Sequence, residues 1–271
     1  MPHKIRRTRE PLRTDFFRMK RSAILVFMLS KTITSLQHPI VKHFVELRKE
    51  RSAREKTKEV LLAGEKLIRE LAQTKKLSIL MTLEDSPDIE AQEKYLVTAE
   101  ILKKVTGLVE PDGFAASIAM PENAELKDKE RILILDQLSD PGNIGTLFRT
   151  ALALGWEGIW LTPGTVDPFN DKALRAARGA TFWLPFAWKN KEEICAWASA
   201  KKATLYTADL RGKSIASISP KVPAALILSS EAHGAGDWPS IPITIPMEAH
   251  VESLNVASSG AILLFALRKT L

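Results

Sequence analysis

The most regular pattern of apolar and polar positions lies in residues 131–155, RILILDQLSDPGNIGTLFRTALALG. Residues 132–135 form a short apolar run of the kind found in buried parallel strands. A turn-forming cluster follows at residues 139–143, and apolar residues then recur at helical spacing. The pattern predicts a strand, a tight loop and a helix, with Asn143 at the helix N-cap and Arg149 off the apolar stripe. In open α/β sheets such a loop lies at the carboxyl edge, where ligands bind.

Short apolar runs alternate with helical patterns along the rest of the chain, which indicates an α/β fold. The patterns predict helices at residues 34–58, 65–73, 99–106, 170–178, 191–202 and 254–269. They predict further strands at residues 60–63, 78–83, 95–98, 114–120, 158–161, 204–208, 224–229 and 241–245. We expect a basic, disordered tail at residues 1–30, a smaller N-terminal domain at 31–122, a polar linker at 123–130 and a parallel-sheet domain at 131–271.

Charge is unevenly distributed along the chain. The net charge is +7, and residues 1–58 hold 16 Lys and Arg against 5 Asp and Glu, so the remainder is net negative. This asymmetry points to contact with nucleic acid or an anionic membrane at the N-terminal end, and it favours nucleic acid over a merely solvated tail. Within residues 34–58, one helical face is apolar and the others are basic. That arrangement suits contact with an RNA backbone, and a surface helix with solvated charges explains it equally well.

Other classes of protein and site are disfavoured. The single cysteine, Cys195, excludes an internal disulfide and suits a reducing, cytoplasmic compartment.

The apolar run at residues 23–29 is much shorter than the roughly 20 residues that span a bilayer, so we expect no membrane partner. Its position leaves Met1 and Met28 both open as the natural start. His233 and His250 have no partner at zinc-ligand spacing, so we expect no metal.

Three polar loops follow strands of the second domain, at residues 139–143, 229–236 and 247–255. All three would open on the same edge of a parallel sheet. Each alone is better explained as a cap or a turn, but three on one edge favour a ligand site. A phosphate-binding loop is excluded because Thr207 stands where its first glycine is required. Neither a GxGxxG dinucleotide motif after a strand nor a serine nucleophile elbow is present.

These loops resemble the three signature motifs of the SpoU (TrmH) RNA ribose 2′-O-methyltransferases of the SPOUT class. The motifs read LDQLSDPGNIGTLFRTA, LILSSEAHGAG and IPMEAHVESLNVASSGAILL, in that order. SLQHPIVKHFVELR, LLAGEKLI and VTGLVEPDGFAASIA are similar to the family's ribosomal-protein-like RNA-binding domain. The resemblance implies a C-terminal trefoil knot, an S-adenosylmethionine cofactor, a homodimer and an RNA substrate, ribosomal RNA being favoured over transfer RNA.

The resemblance also implies roles for individual residues. The residues implied to line the cofactor pocket are Ser229, Ile245, Met247, Leu254 and Asn255. The residues implied to form the catalytic site are Arg149, Asn143, Glu231, Ser253 and Asn255. Arg149 would activate the ribose hydroxyl, either as a base or by anchoring a phosphate and stabilising the developing alkoxide.

Three small residues, Ser229, Ala232 and Ala249, stand where the family usually has glycine. A residue with a Cβ fits poorly if its position requires positive φ. Two other interpretations of the whole chain are a non-catalytic RNA-binding module and a small-molecule α/β enzyme with an incidental basic tail. Failure to bind S-adenosylmethionine would support the non-catalytic RNA-binding module. RNA affinity that falls steeply as salt rises would argue against the small-molecule enzyme.

Overall fold

Two β-sheets organise the chain in the computed structural model, which describes residues 31–86, 88–230 and 236–268. The elements of the first part are, in chain order, β1 Lys31–Ile33, α1 Pro39–Lys49, α2 Arg51–Thr57, β2 Glu59–Ala63, α3 Glu65–Ala72, β3 Leu77–Thr82, β4 Ala91–Val97, α4 Ala99–Thr106 and β5 Phe114–Ala119. Those of the second part are β6 Arg131–Asp136, α5 Pro141–Ala153, β7 Gly158–Leu161, α6 Asp171–Ala177, β8 Phe186–Trp188, α7 Lys191–Lys201, β9 Thr204–Ser214, β10 Ala224–Ser229, β11 Ile241–Thr244 and α8 Val256–Ala266. The predicted tail at residues 1–30 lies outside the described residues.

The first sheet is mixed, in the order β1-β4-β3-β5-β2. β3 pairs in parallel with β4 and antiparallel with β5. The single helix predicted over residues 34–58 is wrong, because the extended backbone of Glu50 divides it into α1 and α2. Val41, Phe44 and Leu47 are the buried face of α1, which packs on this sheet. The basic residues therefore remain on the outer surface of α1, as the amphipathic pattern predicts.

The second sheet is entirely parallel, in the order β11-β9-β10-β6-β7-β8. Every residue of β6 is buried, which confirms the interpretation of the apolar run as a central strand covered on both faces. β9 extends to Ser214, six residues beyond the predicted strand. Polar residues 209–214 carry no strand pattern, and this extension is stabilised by pairing of β11 with Lys213 and Ser214.

Close packing places α8 against the centre of this sheet. A Cβ atom on Gly260 would lie 2.5 Å from Leu147 Cδ2 of α5 and 2.7 Å from Leu228 Cδ1 of β10. Glycine therefore allows α8 to approach both elements closely. The Nε1 of Trp156 donates to the carbonyl oxygen of Leu264 at 3.2 Å and fixes the other end of the helix. The N-terminus of α8 is thereby held beside the carboxyl ends of the strands.

One buried ion pair joins the two parts of the chain. Arg54, on α2, is 3% exposed and pairs with Asp167, in the segment between β7 and α6. Arg54 Nη1 also donates to the carbonyl oxygens of Leu47, at 2.6 Å, and Arg48, at 3.2 Å. The largest apolar core includes residues of both sheets. No helix within the described ranges is long and apolar enough to cross a membrane.

Candidate functional site

A cavity of about 470 Å³ opens at the carboxyl edge of the parallel sheet. Its walls come from the ends of β9, β10 and β11, from the segment that joins β11 to α8, and from one face of α8. Five of the residues singled out from the sequence line it, namely Ser229, Ile245, Met247, Ser253 and Leu254. The second and third sequence motifs therefore meet at one cavity, although 15 or more residues separate Ser229 from the others.

The lining combines apolar surface with a few charges. Leu228, Ile243 and Leu263 supply buried apolar surface. Asp209 and Arg211, on the extension of β9, and Glu252 supply the charged groups. A mostly apolar cleft with a few placed polar groups is typical of small-molecule sites, which commonly measure about 300–1,000 Å³. The sequence did not identify Asp209 and Arg211, because they reach the cavity only through the β9–β11 pairing.

The backbone does not require glycine at two of the three positions where the family usually has it. Neither Ser229 nor Ala249 adopts positive φ in the structure. The replacement of glycine at these two positions therefore introduces no backbone strain. Ala232 and the predicted catalytic residue Glu231 lie in segment 231–235, outside the described residues.

Two asparagines meet at the N-termini of α5 and α8. Asn255 Nδ2 donates to Asn143 Oδ1 at 3.1 Å. Asn255 is the N-cap of α8, as its position before an apolar helix predicts, because its Oδ1 accepts from the Ala257 N–H at 2.9 Å. Leu254 and Val256, on either side of Asn255, line the cavity. The first motif therefore reaches the edge of the cavity through the side chain of Asn143.

The assignment of Asn143 as the N-cap of α5 is wrong. Asp140 is the N-cap, and its Oδ1 accepts from the backbone N–H of Asn143 at 2.8 Å. Pro141 occupies the first helical position, where proline is favoured because its missing N–H needs no partner there. The side chain of Asn143 is consequently free of capping and available to Asn255.

Asp140 also joins α5 to α6. Lys172 Nζ donates to Asp140 Oδ2 at 2.8 Å. This bond, with the backbone N–H of Asn143, lowers the pKa of Asp140 below its usual value. The ionised carboxylate therefore stabilises the fold fully above the ordinary aspartate pKa of about 3.9, and this stabilisation is lost as pH falls through the lower folded-state pKa.

We expect Asp140→Ala to lower the free energy of unfolding by about 1 kcal/mol, the usual effect of losing an N-cap. Urea titrations at pH 7 measure this difference. Asp128→Ala, at an exposed position before β6, is the matched control and should change the free energy by less than about 0.5 kcal/mol. Equal stability of Asp140→Ala and the wild type would show that the cap contributes nothing.

Arg149 lies on a different surface from the cavity. It is exposed on α5 and lines a shallow depression with Thr146, Ala261 and Phe265, among others. Among the described residues, none forms an ion pair or hydrogen bond with its side chain. On α8, Ser259 and Leu263 face the cavity whereas Ala261 and Phe265 face the depression. At about 100° per residue these are opposite faces of the helix, so α8 separates Arg149 from the cavity of its own chain.

Comparisons with known proteins agree with the arrangement of the three motifs. The sequence model described as the SpoU rRNA Methylase family matches residues 130–265. A 23S rRNA (guanosine(2553)-2′-O)-methyltransferase of Bacillus subtilis is 31% identical over 248 residues, which cover 88% of this chain and 99% of that protein. An uncharacterized tRNA/rRNA methyltransferase of Synechocystis is 32% identical over 273 residues, covering 88% of this chain and 93% of its own length.

Solved structures give the same result for the fold. The AdoMet-bound rRNA methyltransferase from Sinorhizobium meliloti superposes with a TM-score of 0.76 and 27% sequence identity, over 88% of this chain and 97% of its own. A structure described as an RNA 2′-O ribose methyltransferase gives a TM-score of 0.74 at 25% identity, over 87% of this chain. The family model, the relatives and the parallel sheet all agree, and the chain belongs to the SpoU rRNA methylase family.

Proposed function

We propose that the protein transfers a methyl group from S-adenosylmethionine to a ribose 2′-hydroxyl of ribosomal RNA. The observation that carries this proposal is the cavity at the carboxyl edge of the parallel sheet, where the second and third motifs meet. The Bacillus subtilis relative is by name a 2′-O-methyltransferase of 23S rRNA, and the Sinorhizobium meliloti structure is by its description bound to AdoMet. S-adenosylmethionine supplies the electrophilic methyl on a sulfonium centre.

The residues of the cavity suit this cofactor. Its apolar part, formed by Leu228, Ile245 and Leu254 among others, provides a surface for the adenine ring. The carboxylates of Asp209 and Glu252 would bind ribose hydroxyls and the cationic amino group, and Arg211 would pair with the carboxylate of the methionine moiety. Ser229, Met247 and Asn255 complete the proposed cofactor contacts.

The position of Arg149 supports a homodimer in which each subunit completes the other's site. Leu152 on α5 and Ile262 and Phe265 on α8 are 37%, 43% and 54% exposed, which is high for large apolar side chains. Apolar surface of this kind favours contact with a second protein. Since α8 separates Arg149 from its own cavity, a twofold contact through these helices would bring Arg149 of each subunit toward the cavity of the other.

We expect the wild-type protein to be a dimer and Ile262→Glu to be a monomer, because transfer of a carboxylate from water into an apolar interface carries a large desolvation cost. Sedimentation velocity measures both masses. Val109→Glu is the matched control, because Val109 is 84% exposed in the N-terminal part of the chain, far in sequence from α5 and α8. A monomeric wild type, or an Ile262→Glu protein that remains a dimer, would contradict this interface.

In the assembled site, Arg149 anchors an RNA phosphate and stabilises the negative charge that develops on the ribose oxygen as its proton leaves. A guanidinium stays protonated at neutral pH, so electrostatic stabilisation is favoured over a role as a base. Asn143, Ser253 and Glu231 would orient the hydroxyl. Positioning of the oxygen in line with the methyl group supplies much of the rate acceleration.

The N-terminal part supplies the proposed RNA contact. The exposed basic residues on the outer surfaces of α1 and α2 include Lys42, Lys49, Arg51 and Lys56, and the exposed Lys58 follows α2 directly. Lysine and arginine side chains bind phosphates and give RNA affinity that falls as salt rises.

The proposed domain boundary agrees with the order of the strands along the chain. All strands of the first sheet precede residues 123–130 in the sequence, and all strands of the second sheet follow them. This order supports an RNA-binding domain at 31–122 and a catalytic domain at 131–271. The trefoil knot, the ribosomal-protein likeness of the first domain and the cytoplasmic location remain predictions.

Analysis of the methylated product tests the proposed reaction. Ribosomal RNA from cells that lack the gene is incubated with the protein and S-adenosylmethionine carrying a labelled methyl group, and is then digested to nucleosides. We expect the label in a 2′-O-methylnucleoside. The same incubation with transfer RNA separates the two substrate classes. Label on a base, or label in transfer RNA alone, would contradict the proposal.

A further inference from the structure

Asp136 forms a buried polar cluster directly behind the cofactor cavity. It is the last residue of β6 and is 8% exposed. Its Oδ2 accepts hydrogen bonds from Trp238 Nε1 at 3.0 Å and from Ser229 Oγ at 3.2 Å. Its Oδ1 accepts one from Thr162 Oγ1 at 2.7 Å. One carboxylate thus bonds to three segments of the chain.

The partners of Asp136 are distant in sequence. Ser229 ends β10 and lines the cavity, Trp238 follows segment 231–235, and Thr162 follows β7. Thr162 Oγ1 also accepts from the N–H of Gln137 at 3.1 Å, and the backbone oxygen of Asp136 accepts from the N–H of Ser230 at 3.3 Å. The cluster therefore fixes both the end of β6 and the described residues on either side of segment 231–235.

The chemistry of the cluster requires a carboxylate. All three side-chain donors are neutral, and within the described ranges no ion pair involves Asp136. A buried carboxylate without a cation is unfavourable unless hydrogen bonds compensate it, and charge-assisted bonds of this kind are about twice as strong as neutral ones. An asparagine has only one acceptor oxygen, so it cannot accept from Thr162 on one side and from Ser229 and Trp238 on the other.

We propose that Asp136 is a positioning residue for the cofactor cavity, which holds Ser229 in the place that S-adenosylmethionine requires. It touches neither the cofactor nor the RNA and acts through Ser229, while Trp238, which donates to the same carboxylate oxygen, holds Asp136 in place. This inference rests on the proposed assignment of Ser229 to the cofactor site. The role of Asp136 is distinct from that of Asp140, which caps α5 and pairs with Lys172.

Calorimetric titration of the full chain with S-adenosylhomocysteine tests the proposal. Asp136→Asn is expected to raise the dissociation constant about tenfold, and Trp238→Phe, which removes one donor and keeps an aromatic ring, about threefold. In the double variant the two effects should combine to less than their product, because both act on the same hydrogen bond. In methyl transfer, the KM for S-adenosylmethionine should rise while kcat at saturating cofactor stays within about twofold.

Asp237→Asn is the matched control, since Asp237 is exposed and adjacent to Trp238; its dissociation constant should equal that of the wild type. If Asp136→Asn melts at a lower temperature but binds S-adenosylhomocysteine as the wild type does, Asp136 only supports the fold and the proposal is overturned. If Asp136→Asn does not fold, Trp238→Phe decides, and an unchanged dissociation constant overturns the proposal. If the wild-type protein does not bind S-adenosylhomocysteine, the proposed assignment of the cavity to the cofactor is wrong, and the role inferred for Asp136 is wrong with it.

Discussion

Replacement of Arg149 by alanine is expected to reduce methyl transfer about 10²–10³-fold while the affinity for S-adenosylhomocysteine stays within about twofold of the wild type. The expected loss reflects the charge stabilisation proposed for Arg149, which acts only when RNA is bound. The cofactor affinity is expected to be preserved because Arg149 is absent from the residues that line the cavity, and its proposed contacts are with the RNA phosphate and the ribose oxygen. Single-turnover methylation of ribosomal RNA and calorimetric titration measure the two quantities.

Two control variants separate the chemistry of Arg149 from its charge and size. Arg149→Lys keeps a cation but loses the planar guanidinium, so it should retain more activity than the alanine variant and less than the wild type. Arg175→Ala removes an arginine from the neighbouring α6, where it pairs with Asp171, and should leave methyl transfer unchanged. Unchanged turnover in Arg149→Ala, or a loss of cofactor binding that accounts for the lost turnover, would contradict the role proposed for this residue.

Mixing two inactive proteins tests whether Arg149 serves the partner's cavity. Arg149→Ala is combined with Leu254→Trp, whose larger side chain obstructs the cavity. In a mixed dimer, the intact cavity of the first subunit meets the intact Arg149 of the second. With random exchange of subunits, activity should return to about a quarter of the wild-type value. No recovery after verified exchange would indicate that each subunit uses its own Arg149.

The largest expected effect on stability belongs to Arg54. Arg54→Ala should lower the free energy of unfolding by about 3–5 kcal/mol, because it leaves Asp167 without its cation at a site where both side chains are largely buried. It also removes a donor from the carbonyl oxygens of Leu47 and Arg48. Urea unfolding followed by tryptophan fluorescence measures the change.

Lys56→Ala is the matched control for Arg54, since it removes one positive charge from an exposed position of the same helix. Its free energy of unfolding should change by less than about 0.5 kcal/mol. Asp167→Ala and the double variant complete a mutant cycle, and the double variant should be more stable than the sum of the two single effects predicts. Additive effects would show that Arg54 and Asp167 contribute independently.

The sequence predicts best those elements whose own residues determine their burial. β6 follows from its continuous apolar run, and Asn255 follows from its place before an apolar helix, because both signals are local. The predicted start of α5 is wrong although the sequence contains the correct signal. Asp140 followed by Pro141 identifies the N-cap more specifically than Asn143 does.

Other features depend on contacts that no local pattern encodes. The extension of β9, which brings Asp209 and Arg211 to the cavity, arises from its pairing with β11. The helix break at Glu50 separates α1, which has an apolar face, from α2, whose buried residue is Arg54. Arg54 is buried because it pairs with Asp167, a contact that the local sequence pattern does not show. Helical spacing places Arg149 off the apolar stripe, but the separation of Arg149 from the cavity results from the packing of α8 between them.

A crystal structure of the protein with S-adenosylhomocysteine tests the central claim most directly. The account predicts that the ligand occupies the cavity between the end of β10 and the N-terminal half of α8, in contact with Ser229 and Leu254. It further predicts that the arginine nearest the sulfur atom is Arg149 of the partner subunit. A ligand bound at any other surface, or an Arg149 of the same chain nearest the sulfur, would contradict the account.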